Sequence, residues 1–174
     1  MDKKAEIIKN SEGKTIVLIN DIRFKGKRKI DWCDVEKYLK KYIGKFFQIE
    51  KTADIVYIGS EFPDEFSGSK DTARLKGTLA KAKANASQAI EEIIESADFP
   101  EYAENRKQKH KHNARYGWYR YTSRFALPVC SDAGEIERYN VFCVQMIVRH
   151  DQNGKKYLYD LINIKKESST PHCR

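Results

Sequence analysis

The chain has 174 residues, with 33 Lys and Arg against 25 Asp and Glu and a formal net charge of +8. That length supports one domain, or a domain with a small appendage, and the charge favours polyanionic partners. No apolar run approaches the roughly 18 residues of a transmembrane helix, and the opening MDKKAEIIKNSEGK lacks the apolar core of a signal peptide, which points to the cytoplasm.

In chain order, Lys14–Ile22 reads as a β-branched strand. The loop after it, RFKGKRK, carries five positive charges in seven residues: Arg23, Lys25, Lys27, Arg28 and Lys29. Asp31 is an N-cap for a helix running to about Ile43, with Val35, Tyr38, Leu39 and Tyr42 as its apolar stripe and Gly44 as its stop. Phe46–Glu50 and Ile55–Ile58 form a hairpin, and the loop EFPDEFSGS closes a small N-terminal αβ unit at residue 69.

The second unit spans residues 70–167. Leu75, Leu79, Ala82, Ala86, Ile90, Ile93 and Ala97 recur at helical spacing and predict one long helix, Lys70–Ala97, with Lys81 and Lys83 turned to solvent. Pro100 separates it from a shorter helix, Glu101–Asn113. Three long strands follow, Trp118–Val129, Tyr139–His150 and Tyr157–Lys165, joined by hairpins at SDAGE and DQNGK. The middle strand is apolar on both faces, so it is expected to be central, with helices on one side. Residues 168–174 read as a frayed tail. The fold class is therefore α+β, helices packed on an antiparallel sheet.

Between Arg106 and Arg124 lie seven Lys or Arg, two His, three Tyr and a Trp within nineteen residues. Cations release counterions from a phosphate backbone and flat rings stack on unpaired bases. Arg106, Lys109, Lys111, Arg115, Trp118, Arg120 and Arg124, with the Arg23–Lys29 loop, are the candidate nucleic-acid contacts. Trp118 and Arg120 share one strand face, Tyr119 and Tyr121 the other. The four cysteines, Cys33, Cys130, Cys143 and Cys173, form no CxxC pair, so separate thiols are expected rather than a zinc site or disulfides. No phosphate-binding, dinucleotide or serine-hydrolase motif is present, and no metal or cofactor is called for.

The stretches Ile90–Ala97, His110–Tyr121 and Val148–Lys166, above all HDQNGKKYLYDLINIKKE, resemble a domain of large polyvalent proteins from phages and conjugative elements. That domain is similar in layout to the barnase–EndoU–colicin–RelE-like superfamily, over residues 70–167. The resemblance implies helices before an antiparallel sheet, a bacterial host cell and metal-independent ribonuclease activity. Such chemistry needs groups that titrate near neutrality and a cation to stabilise the phosphorane. His112 and His150 are the candidate acid–base pair, with Arg120 and Lys165 as phosphate stabilisers. At helical spacing His110 and His112 point about 200° apart, so at most one of them faces the site, and His110 is the weaker candidate.

Three functions are thus open. One is an RNA-directed nucleic-acid-binding protein with ribonuclease activity. Another is a non-catalytic inhibitor, such as an anti-CRISPR that blocks a Cas effector ribonucleoprotein or its guide RNA, or that meets an acidic protein. The third is a packaging accessory domain. No membrane partner is expected.

Overall fold

Asp31 does cap the first helix, its side chain accepting from the N–H groups of Cys33 (3.1 Å) and Asp34 (3.4 Å). The computed structural model describes residues 4–26 and 29–171, with side chains as far as residue 167. Helix α1 spans Trp32–Leu39 and tightens into a 3₁₀ turn, Lys40–Tyr42. It buries Val35, Leu39 and Tyr42 from the expected stripe.

Strands β1 (Ala5–Lys9) and β2 (Thr15–Ile19) precede it, and β3 (Phe46–Gln48) pairs with β4 (Ile55–Tyr57) as the expected hairpin. Strand β1 was not foreseen, because AEIIK does not alternate apolar with polar residues and only Ala5 is buried. The loop assigned to EFPDEFSGS is instead helix α2, Phe62–Gly68, with Pro63 in its first turn and Phe62 and Phe66 buried.

The single long helix is not formed. It is α3 (Lys70–Arg74), α4 (Gly77–Ala86), a 3₁₀ turn Ser87–Ala89, and α5 (Ile90–Glu95). Leu75 is extended and Gly77 sits at φ +55°, a left-handed conformation that favours glycine, so the chain turns there. Every residue from Ala82 to Ile90 is buried. This helix lies inside the protein and has no solvent face for Lys83, which is completely buried. Lys81 is half-buried.

The second expected helix, Glu101–Asn113, is also absent. Strand β5 (Pro100–Ala103) pairs with β6, and only the 3₁₀ turn Gln108–His110 is helical. Lys107 and Lys111 would repel one another at i,i+4 in a helix, while pairing to β6 satisfies the backbone of residues 100–103.

The three long strands β6 (Trp118–Cys130), β7 (Ile136–His150) and β8 (Lys156–Pro171) form the centre of an eight-stranded sheet. Strand β8 pairs with β7 as far as Pro171, so the chain is not frayed there. The order is β1-β2-β6-β7-β8-β4-β3, with β5 beside β6. The sheet is mixed rather than antiparallel: β2 runs parallel to β6 and β4 parallel to β8. Strands from residues 1–69 thus extend both sides of the sheet built by the later segment.

The sheet curls around the helices. Tyr121 of β6 donates to Asp54 at 2.9 Å, and Lys156 of β8 donates to the same carboxylate at 3.0 Å. On this concave face Tyr121, Phe125, Phe142, Val144, Met146 and Val148 pack with Val35, Phe66, Ala82, Ile90 and Ile93 in one core. The other face carries only a small cluster of Ile16, Ala126, Tyr139 and Val141 at one end. Its opposite end is left open, and the candidate site lies there.

Candidate nucleic-acid interface

A groove of about 1010 Å³ opens over the outward-facing residues of β6, β7 and β8. Its floor is Trp118, Arg120, Ile147, Tyr159 and Ile162. One wall is Glu65 and the Gly68–Asp71 corner between α2 and α3, which pack on β8 beyond the reach of β4. The other wall is the strap from Tyr102 to His110.

The strap is fixed by its strand pairing, Ala103 opposite Trp118, and by the Trp118 Nε1 hydrogen bond to Asn105 at 3.3 Å. Gly117, at φ +98°, allows the close approach: a Cβ there would sit 2.6 Å from the Tyr102 ring. Only glycine fits that position without moving the wall.

Three rings interlock on the floor. His110 meets Trp118 edge-on at 5.0 Å and Tyr159 at 5.5 Å, and Trp118 meets Tyr159 at 5.0 Å. His110 is buried, and its Nδ1 lies 3.0 Å from Asn113 Oδ1. That carboxamide oxygen only accepts, so Nδ1 carries the proton and the neutral ring keeps its lone pair on Nε2. Burial lowers the His110 pKa below the ordinary imidazole value, and Lys109 and Lys107 push the same way. The Tyr159 hydroxyl is pushed up to about 12 by burial and then by Glu65, to which it hydrogen-bonds.

Under the groove lies a buried ionic cluster. Lys83 Nζ sits 2.9 Å from Asp160 and 3.3 Å from Asp71, with the Lys83 side chain 0% exposed and that of Asp160 2%. Asp160 also accepts from the Leu161 N–H at 2.8 Å, and Lys83 lies over the Phe66 ring at 5.0 Å. Burial raises the Asp160 pKa to about 6, even though Lys83 opposes the rise. This cluster ties α3 and α4 to β8 and so fixes one wall of the groove.

Around the mouth stand Lys70, Arg106, Lys107, Lys109 and Arg120, all exposed. None of these five makes an ion pair among the described residues. The carboxylates Asp71 and Asp160 are turned onto Lys83 instead, which leaves Glu65 and Glu104 as the other lining carboxylates beside these five cations.

The structure gathers some of the candidates and disperses others. Arg106, Lys109, Trp118 and Arg120 line the groove. Lys111 and Arg115 are exposed on the same segment without lining it. Arg124 is paired with Glu167 at 3.1 Å and with Asp98 at 3.8 Å. Arg23 lies 4.7 Å from the Tyr38 ring, and its neighbour Phe24 is clamped by Asn85 of α4, so the basic loop belongs to the helical side. Lys25 and Lys29 are exposed on that loop, while Lys27 and Arg28 lie outside the described residues.

Of the residues assigned to catalysis, only Arg120 is in the groove. His112 and His150 both attach to the hairpin turn, His112 to Gln152 at 3.1 Å and His150 to the Gly154 carbonyl at 3.1 Å. The His150 ring faces Tyr116 and Tyr119, on the other side of the sheet from Trp118. Lys165 is paired with Cys143, four residues along the strand register from Arg120, or about 13 Å. His172 and Cys173 lie outside the described residues.

Sequence reasoning ranked His110 below His112, and it missed Lys70, Lys107 and Tyr159 as groove residues and the Lys83–Asp160–Asp71 cluster beneath them. One signal was available: Asp160 is the one charged residue in YLYDLINI. A charge in the middle of such a strand requires a partner. Among the described residues no group of three or more His, Cys, Asp or Glu could hold a metal ion, and no helix is long and apolar enough to cross a membrane. Compared with protein-family models, with curated proteins and with solved structures, the chain matches none.

Proposed function

We propose that this protein binds single-stranded RNA in the groove between the α2–α3 corner and the Tyr102–His110 strap. The observation that carries this reading is the rim of five cations, none in an ion pair among the described residues, around an aromatic floor. Cations at the mouth suit phosphates, and rings below them suit unstacked bases. Glu65, half-buried in the groove wall, suits a ribose 2′-hydroxyl as its acceptor, the group that separates RNA from DNA.

A fluorescence titration with a short single-stranded RNA, in EDTA and over a range of salt, tests this. Each phosphate contact to a single strand contributes about −0.7 to the slope of log K against log salt, so five contacts give about −3 to −4. RNA should bind more tightly than DNA of the same sequence. Absence of binding, or binding indifferent to salt, overturns the proposal.

Cleavage is a second reading, favoured by the neutral imidazole of His110 beside Arg120 in the same groove. A base on Nε2 could take the 2′-hydroxyl proton as that oxygen attacks phosphorus and Arg120 stabilises the phosphorane. The P–O5′ bond then breaks, and the 5′-oxygen leaves with a proton returned by the His110 imidazolium or by water. Products ending in cyclic phosphate, made in EDTA and lost in His110→Ala, would establish it. Products that survive His110→Ala but vanish in His112→Ala/His150→Ala would return the chemistry to the hairpin turn.

A further inference from the structure

The strand register sets one transverse row of flat side chains across five strands. Trp118 of β6 is opposite Arg149 of β7, which is opposite Tyr157 of β8. Tyr157 is aligned with Tyr57 of β4, and Tyr57 with Phe46 of β3. Partners in register share a sheet face, so the row starts at the groove floor and leads to the β3 edge. At about 4.8 Å per strand it spans about 19 Å.

The contacts bear out the alignment. The Arg149 guanidinium stacks 4.3 Å from the Tyr157 ring, Tyr157 is 5.9 Å from Tyr57, and Tyr57 is 5.5 Å from Phe46. Phe46 is 59% exposed, and Lys155 lies over the Tyr57 ring at 4.9 Å.

We infer that Phe46, Tyr57 and Tyr157 form a second contact for the same RNA strand as it leaves the groove. The inference rests on the groove reading and on the alignment of the row with Trp118; between the two contacts the strand would pass over the buried Arg149 and its partner Glu61. This second contact differs in kind from the first. Arg149 is buried, bonded to the Asn113 carbonyl and Asp151 at 3.0 Å each, and paired with Glu61, so its charge is spent within the protein. The row therefore holds bases mainly by stacking, and the exposed Lys155 over Tyr57 adds at most one phosphate contact to the salt dependence.

The test compares wild type with Phe46→Ala/Tyr57→Ala on two single-stranded RNAs, one that fills only the groove and one long enough to cross the row. Both substituted side chains lie on the outer face, and an unchanged melting temperature checks that the variant is folded. Wild type should bind the long RNA roughly tenfold or more better than the short one. The variant should lose that advantage, keep its affinity for the short RNA and keep the salt slope.

Equal affinity of variant and wild type for the long RNA overturns the inference and leaves the groove reading intact. So does an equal loss on both RNAs, which would make the rings structural. A wild-type dimer that the variant converts to monomer would assign the row to a second copy of the chain. Failure of wild type to bind either RNA removes both readings together.

Discussion

Replacing Lys83 with methionine should destabilise the protein by about 3–5 kcal/mol, the cost of removing one partner from a buried ion pair. For a chain of this size that lowers the melting temperature by about 6–20 °C. The cause is the pair left behind: Asp160, almost fully buried, and Asp71 would face one another with no cation between them. The Phe66 ring over the ammonium would add no compensating charge.

The loss depends on pH, with a sign that follows from Asp160. Its folded pKa, about 6, lies above the ordinary carboxylate value, so between roughly pH 4 and 6 the folded state binds more protons than the unfolded one. This group's contribution to stability is therefore largest at acid pH and falls as the pH rises through about 6. Without Lys83, protonation is the only relief left to the carboxylates. Lys83 holds the Asp160 pKa down, so it lies higher still in the variant. The deficit of Lys83→Met relative to wild type should be small at pH 6 and below, grow as the pH rises past 6, and reach its full size only at more alkaline pH. Adding Asp160→Asn, which retains an acceptor for the Leu161 N–H but removes the charge, should recover much of the loss. Thermal melts at two pH values check this, and a deficit of the same size at both would contradict it.

How much of this was legible in the sequence depended on the range of the interactions. The Asp31 cap, the three long strands and the Asn153-Gly154 hairpin are decided by neighbours within a few residues, and each stands where local pattern places it. The break at Leu75–Gly77 is decided by α3 and α4 packing separately against β8, which periodicity cannot register. Lys83 looks like a surface lysine because its partner Asp160 is far along the chain.

The same division runs through the site. Arg106, Lys109, Trp118 and Arg120 stood out because they cluster within one segment. Lys70 and Tyr159 come from elements brought together only by the fold. His110 and His112 are two residues apart, yet one is buried among rings and the other exposed against Gln152.

Reversing the charge of Lys109 and Arg120 together should reduce RNA affinity roughly 100-fold or more. A hydrogen bond to a charged group contributes about 1.5–3 kcal/mol, which is tenfold or more for each side chain lost. Reversal also places two carboxylates at the mouth of the groove, where they repel phosphates. The salt slope should become shallower by about 0.7 for each contact removed. Both side chains are exposed and free of ion pairs among the described residues, so the melting temperature should hardly move.

Lys111→Glu with Arg115→Glu is the matched control. It changes net charge by the same amount on the same segment, but outside the groove. If position in the groove matters, this pair should weaken binding far less than the first. Equal losses would mean that RNA responds to total charge and that the groove has no special part.

Ultraviolet crosslinking of bound single-stranded RNA, followed by mass-spectrometric mapping of the attached residues, addresses the groove most directly. If RNA lies on the aromatic floor, crosslinks fall on Trp118 and Tyr159, which come from strands separated by β7 and meet only there. Crosslinks confined to the Arg23–Lys29 loop or to the His112–Tyr116 segment would place the RNA elsewhere and contradict the assignment.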